Sequence, residues 1–190
     1  MSFNTFRRKW GCQIGNLVAN LLPADSVSKH LRNGIYRLMG VSIGPGTAFA
    51  GDSYINLGPV ARLSVGRDCF VNRQCYFDLS ADIAIGDGVF IGTHCAFVTA
   101  DHEIGPASRR AGKVAARPVS VGAGAWIGTR VTILPGVTIG RGAIVASGAL
   151  VRESVPDNVL VAGVPAVIKK SLEADGVAPT AVPLHQEPTS

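Results

Sequence analysis

The sequence predicts an all-β solenoid, a parallel β-helix built from triangular coils, and three observations predict it. An aliphatic or aromatic residue returns every sixth position, at Val65, Val71 and Phe77, at Ile85, Ile91 and Phe97, and at Val121, Ile127, Ile133, Ile139, Val145 and Val151. The fourth residue after each anchor is small or β-branched: Cys69, Cys75, Ala81, Val89, Cys95, Ala125, Val131, Val137, Ala143, Ala149 and Val155. Glycine often follows the anchor directly, as at Gly66, Gly86, Gly92, Gly122, Gly128 and Gly140. A helix would smear a period of six around its surface, and simple strand alternation does not explain why only every third inward position is large. Short strands joined by tight turns explain both, with anchor and companion pointing inward and glycine supplying turn dihedrals. No single repeat buries its own face, so stacked neighbours build the core, three hexads to a coil.

Composition agrees with one such domain. A chain of 190 residues can enclose a single core, and 23 glycines with only 16% charged residues do not describe a bundle of amphipathic helices. The net charge of +5 is too small and dispersed to indicate nucleic-acid binding. Cys69, Cys75 and Cys95 share the inward companion position, Cys12 lies far away, and there is no CxxC pair. The three are read as small core residues, in keeping with a reducing, cytoplasmic setting.

Residues 1–40 are expected to form a helical cap. Ser26 to Met39 reads as a helix with Ser26 as N-cap and Val27, Leu31, Ile35 and Leu38 on its apolar face. A β-helix end left uncovered would expose an apolar cross-section and unpaired strands. Arg7, Arg8, Lys9, Lys29, Arg32 and Arg37 stand against Asp25 alone in this segment, so a peripheral membrane contact is the alternative role. Gln13, Asn16 and Asn20 interrupt the apolar stretch and argue against a signal peptide, and no stretch is long enough to span a bilayer.

The β-helix is expected over residues 41–168, with two interruptions. Phe77 to Ile85 is a step of eight residues instead of six, which places an insertion around Asp78 to Asp82. After Phe97 the hexads stop and resume near Val119, leaving a loop over 103–118. Solenoids eject insertions onto their surface, where they tend to build sites. Residues 169–190 form a C-terminal extension, with a short helix over Ser171 to Asp175 and a flexible or partner-bound tail after Gly176.

Of the four histidines, His30 and His185 lack a chemical context, and His94 sits at a coil corner where a structural role suffices. His102, beside Asp101 and Glu103 where coil meets loop, is a general-base candidate. Trp126 is placed at a corner, as a ligand or subunit contact or as a plug.

Taken in order, T-A-D-H at 99–102, P-V-S-V-G-A-G-A-W-I-G at 118–128, V-T-I-L-P-G-V-T-I-G at 131–140 and V-P-D-N-V-L-V-A-G-V-P-A at 155–166 resemble the hexapeptide-repeat O-acetyltransferases of the maltose, galactoside and nodulation-factor group. The resemblance runs from about Ile43 to Lys170 and implies a left-handed coil. It implies acetyl transfer from acetyl-CoA to a hydroxyl, with His102 as general base and no metal. By the same resemblance Asn72 contacts the acceptor; Ser80 stands where relatives keep a carboxylate, with Asp78 as its substitute; Thr129 and Ser147 line the pantetheine arm; Arg152 and Lys170 lie near the phosphates, and a second cation is missing at Val167. A homotrimer with the cofactor between subunits, and a sugar or glycan-precursor acceptor in polysaccharide biosynthesis, complete the expectation.

Two other classes compete. A metal-dependent hydratase of the γ-carbonic-anhydrase kind needs three histidine ligands, but the β-helical body has only His94 and His102. A non-catalytic scaffold would account for the repeats and leave the loop and His102 unused.

Overall fold

The computed structural model describes the backbone of residues 3–25, 27–56 and 58–172 and, within these, side chains from Cys12 onward. Three parallel sheets form the sides of a prism. The first stacks Ser42–Ile43, Leu63–Val65, Ile83–Ile85, Val119–Val121 and Thr138–Ile139. The second stacks Ala48–Phe49, Phe70–Val71, Phe90–Ile91, Trp126–Ile127, Ile144–Val145 and Val159–Ala162. The third stacks Ser53–Asn56, Cys75–Asp78, Ala96–Phe97, Thr132–Ile133 and Leu150–Val151. The chain visits the sheets in rotation, so each coil contributes one strand to each side, which is the triangular β-helix the period predicts. Anchors stack on anchors: Val65 pairs with Ile85, Ile85 with Val121, and Val121 with Ile139. All twelve anchors from Val65 to Val151 are at most 4% exposed, and Phe77 stacks on Phe97 at 5.1 Å.

The companion positions hold with one correction. Ala81 is half-buried, and Ile83 fills the inward place instead, because the two inserted residues move the companion to two positions before Ile85. Cys69, Cys75 and Cys95 are buried and free, and their thiols donate to the carbonyls of Gly86, Gly92 and Gly128 at 3.0, 3.3 and 3.0 Å.

The glycine reading is also corrected. A glycine directly after an anchor does not have a positive φ; it lets coils approach, since a Cβ on Gly128 would lie 2.6 Å from the Ser147 amide nitrogen. The left-handed turn residue stands two places later. Gly148 fills it with φ 75°, and His94 fills the equivalent place with φ 58°, a conformation that disfavours any residue with a Cβ.

Two helices, α1 (Phe3–Leu21) and α2 (Ser28–Met39), cover the first coil. Ser26 lies outside the described residues; the Asp25 carboxylate accepts the amides of Val27 and Ser28 at 2.8 and 2.9 Å where α2 begins. Of the expected apolar face of α2, Ile35 alone packs against the core. Ser28, Arg32, Asn33 and Tyr36 are buried, whereas Val27, Leu31 and Leu38 are exposed. The open end explains this, because its strands offer unpaired amides and carbonyls that need polar partners. Asn16 and Asn20 each donate to and accept from the backbone of Ile55 and Ser53, and Asn33 donates to Thr47 and accepts from Phe49. The fully buried Arg32 donates to the carbonyls of Ala19, Phe49, Leu22 and Pro23.

At the other end Val167–Ser171 adds an antiparallel strand to Val159–Ala162, so Ser171 ends a strand and does not open a helix. Residues 173–190, including the rest of the expected helix and the tail, lie outside the described residues. The stretch predicted as a loop over 103–118 is largely a hairpin, Ala100–Ile104 paired with Ala111–Ala116. Among the described residues no helix is long and apolar enough to cross a membrane.

Candidate functional site

The two interruptions of the hexad meet in space. Asp78 ends a third-sheet strand and is only 2% exposed. Its Oδ1 accepts the Ser80 amide at 2.9 Å and hydroxyl at 2.7 Å; its Oδ2 accepts the amides of Thr99 and Ala100 at 3.1 and 2.8 Å. The Thr99 hydroxyl donates to the Asp78 carbonyl at 2.7 Å and accepts the Ala81 amide at 2.8 Å. Burial pushes the Asp78 carboxyl upward, but the hydrogen bonds from Ser80, Ala100 and Thr99 outweigh it and hold the group below its ordinary value. The exit of the hairpin is tied to the same segments, Arg117 N–H to the Thr99 carbonyl at 2.8 Å and Val119 N–H to the Asp82 carbonyl at 3.0 Å. Arg62 clamps the insertion from outside through the carbonyls of Leu79 and Ser80 and an ion pair to Asp82 at 3.7 Å.

This knot roots the strand that carries His102, two residues beyond Ala100. The imidazole is exposed, and its Nδ1 lies 3.0 Å from the Gly112 carbonyl across the hairpin. A carbonyl only accepts, so Nδ1 carries the proton in the neutral ring and Nε2 keeps its lone pair. A neutral imidazole with a fixed tautomer and an open Nε2 is what a general base for a hydroxyl requires.

Asp78, Ser80, Thr99 and the hairpin lie where the chain leaves the third sheet for the first, and Arg152 lies on the same edge further along, 3.4 Å from Glu153. Thr129, Ser147 and Asn72 lie on the edge between the second and third sheets. Thr129 and Ser147 occupy successive coils there, with the Thr129 amide donating to the Ser147 hydroxyl at 3.1 Å. Thr93 extends the row, its hydroxyl 3.5 Å from that of Thr129. Sequence reasoning missed Thr93 although the signal was present: like Thr129 and Ser147, it stands two places after a second-sheet anchor. Asn72 turns at the same edge in an earlier coil, its side-chain oxygen accepting the Arg73 amide at 2.9 Å. His94 is exposed on this edge too, and His30 is exposed on α2. Lys170 is exposed on the terminal strand beside Leu160. The structure thus joins Thr129 to Ser147 and Asp78 to Ser80, as two separate pairs on two edges. The third sheet separates them; five residues from Thr129 to Leu134 at strand rise span roughly 15 Å.

Trp126 is corrected from a corner to an outward strand position, 53% exposed and in register with Phe90 and Ile144. Phe70 stacks on Phe90 at 5.1 Å, so the outside of the second sheet carries an aromatic row. Among the described residues no three His, Cys, Asp or Glu side chains gather, and His94 and His102 stand on different edges.

Residues 118–153 match the family model described as bacterial transferase hexapeptide (six repeats). The match covers 36 of the 190 residues. The fold is similar to those of solved acetyltransferases. A hexapeptide-repeat-containing acetyltransferase from Vibrio cholerae matches with a TM-score of 0.81 at 28% identity over 91% of this chain and 95% of its own. That protein complexed with acetyl-coenzyme A matches at 0.79, again at 28% identity, over 91% of each chain. A maltose O-acetyltransferase from Clostridium difficile matches at 0.72 and 25% identity over 91% of this chain and 90% of its own. In sequence, a provisionally named acetyltransferase of Saccharomyces cerevisiae is 37% identical over 116 residues, 60% of this chain and 59% of the yeast protein. The chain spans only a little over half the length of the curated relatives it matches.

Proposed function

We propose that this protein is an acetyl-CoA-dependent O-acyltransferase that moves an acetyl group to a hydroxyl of a sugar or glycan precursor, with His102 as general base. The observation that carries this reading is the Nδ1 contact of His102 with the Gly112 carbonyl, which leaves Nε2 free on a strand anchored by Asp78. The acceptor hydroxyl gives its proton to Nε2 as its oxygen attacks the thioester carbonyl. The new C–O bond forms, the C–S bond breaks, and the imidazolium returns the proton to the departing thiolate. No acyl-enzyme is needed, which fits the buried, hydrogen-bonded state of Cys69, Cys75 and Cys95. The free thiols also suit a reducing, cytoplasmic compartment. The acetyl-CoA complex of the Vibrio cholerae relative supports the donor.

The hydroxyl row of Thr93, Thr129 and Ser147 is assigned to the pantetheine arm, and Arg152 and Lys170 to phosphates. Asn72 is assigned to the acceptor. Asp78 has its oxygens filled by the chain itself and is reassigned from acceptor contact to holding the hairpin; Ser80 donates its hydroxyl to Asp78 and has its carbonyl left toward Arg62. Because base and hydroxyl row lie on different edges, the reading requires two copies per site, one offering each edge, as in a closed cyclic trimer. The exposed row of Phe90 and Trp126 provides apolar surface beside the second edge for such packing.

The experiment is acceptor-dependent release of free thiol from acetyl-CoA over a panel of sugars, comparing the native protein with His102→Ala. Release by the native protein alone supports the reading; equal turnover by both removes His102 as base, and no release with any hydroxyl acceptor favours the scaffold.

A further inference from the structure

We infer that the outward faces of the two cap helices form a docking surface for an anionic membrane. α2 is inverted relative to an ordinary surface helix: its polar residues Arg32 and Asn33 face the β-helix, and Leu31 and Leu38 are 55% and 91% exposed. On α1, Asn16 and Ala19 are buried, whereas Ile14, Leu17, Val18 and Leu21, spaced to share one helix face, are 45–74% exposed. The inversion has a cause within the fold, since the open coil needs amide partners, but satisfying it leaves two apolar faces uncovered at one end of the prism.

Charge selects the occupant. Besides the buried Arg32, the first 41 residues contain Arg7, Arg8, Lys9, Lys29 and Arg37 against the single acid Asp25, and α1 contains no acid at all. A helix that combines an exposed apolar face with basic residues and no acids fits the boundary of an anionic bilayer, where apolar burial and phosphate attraction add. Neither helix spans, so the contact is peripheral. Because the cap closes one end of the solenoid, docking there leaves both candidate edges reachable along the prism sides. This inference does not depend on the acyl-transfer reading.

The test is sedimentation of the full chain with vesicles of phosphatidylcholine alone and of phosphatidylcholine with about 30% phosphatidylglycerol, at low and high salt. The native chain is expected to pellet with the anionic vesicles at low salt. The outward double variant Leu17→Gln, Leu21→Gln and the charge variant Arg7→Gln, Arg8→Gln, Lys9→Gln are each expected to weaken that binding by about tenfold or more, with thermal melting and solution mass unchanged. Equal sedimentation with both vesicle types would overturn the inference. A leucine variant that lowers the oligomeric mass and leaves vesicle binding intact would also overturn it, by giving the face to a second copy of the chain.

Discussion

The two edges that flank the third sheet are built in opposite ways. Between the second and third sheets the coil stays regular, and Thr93, Thr129 and Ser147 are positioned by backbone stacking alone, each hydroxyl delivered by the same turn. Between the third and first sheets the coil is broken twice, and the breaks are fused by Asp78, Ser80 and Thr99 into a root for the His102 hairpin. A regular edge repeats one group at a fixed spacing, which suits a long ligand. Under the proposed function the base stands on a hairpin that leaves the lattice and has its own anchor.

The contrast can be broken most severely at His102. Under the proposed function, His102→Ala is expected to lower kcat by about a hundred- to ten-thousand-fold with its melting temperature unchanged, since the imidazole is exposed and supports only the hairpin surface. Asp78→Asn strikes the anchor instead. An amide cannot accept every donor that surrounds Asp78, so a loss of about 1–3 kcal/mol in denaturant unfolding near neutral pH is expected, with reduced turnover because the hairpin root loosens. Its pH dependence has a fixed sign. The folded carboxyl is held below its ordinary value, so its contribution is complete above about pH 4 and is lost as pH falls through the depressed folded value. Native and D78N proteins should therefore converge in stability in acid; a constant gap down to pH 2 would contradict the assignment. On the regular edge the effect is smaller. Ser147→Ala removes one exposed hydroxyl and the acceptor of the Thr129 amide, so KM for acetyl-CoA should rise by about three- to tenfold with kcat nearly unchanged.

The same contrast decides what was legible in the sequence. Anchors such as Ile127 and Val145 are packed by the repeat itself, so a period of six reveals them and fixes Thr129 over Ser147 eighteen residues on. The repeat does not report why a glycine recurs. Close approach at Gly128 and left-handed dihedrals at Gly148 give similar signals, and only coordinates separate them. Hydrophobic periodicity misled at α2, because the surface it covers is an open β-helix end whose needs are polar. Asn16 and Asn20, which read as blemishes in an apolar stretch, are the groups that pair with the first coil. The hairpin was legible only as an absence of hexads, since His102 and Val114 become neighbours through a turn that no period encodes. Asp78 was visible as an acid near the site, but its bonds to Thr99 and Ala100 cross 21 and 22 residues and lie beyond any local pattern.

The central claim is that one site takes its base from the broken edge of one copy and its hydroxyl row and Asn72 from the regular edge of the next. Mixing settles it most directly: unfold His102→Ala and Asn72→Ala proteins together, refold them at equal ratio, and measure acetyl transfer against each variant refolded alone. If each site spans two neighbours in a closed trimer, random assortment restores both edges at about a quarter of the sites, so the mixture should recover roughly that share of native activity. Activity no greater than the mean of the two separate variants, in mixtures shown by mass to have exchanged subunits, would contradict the account.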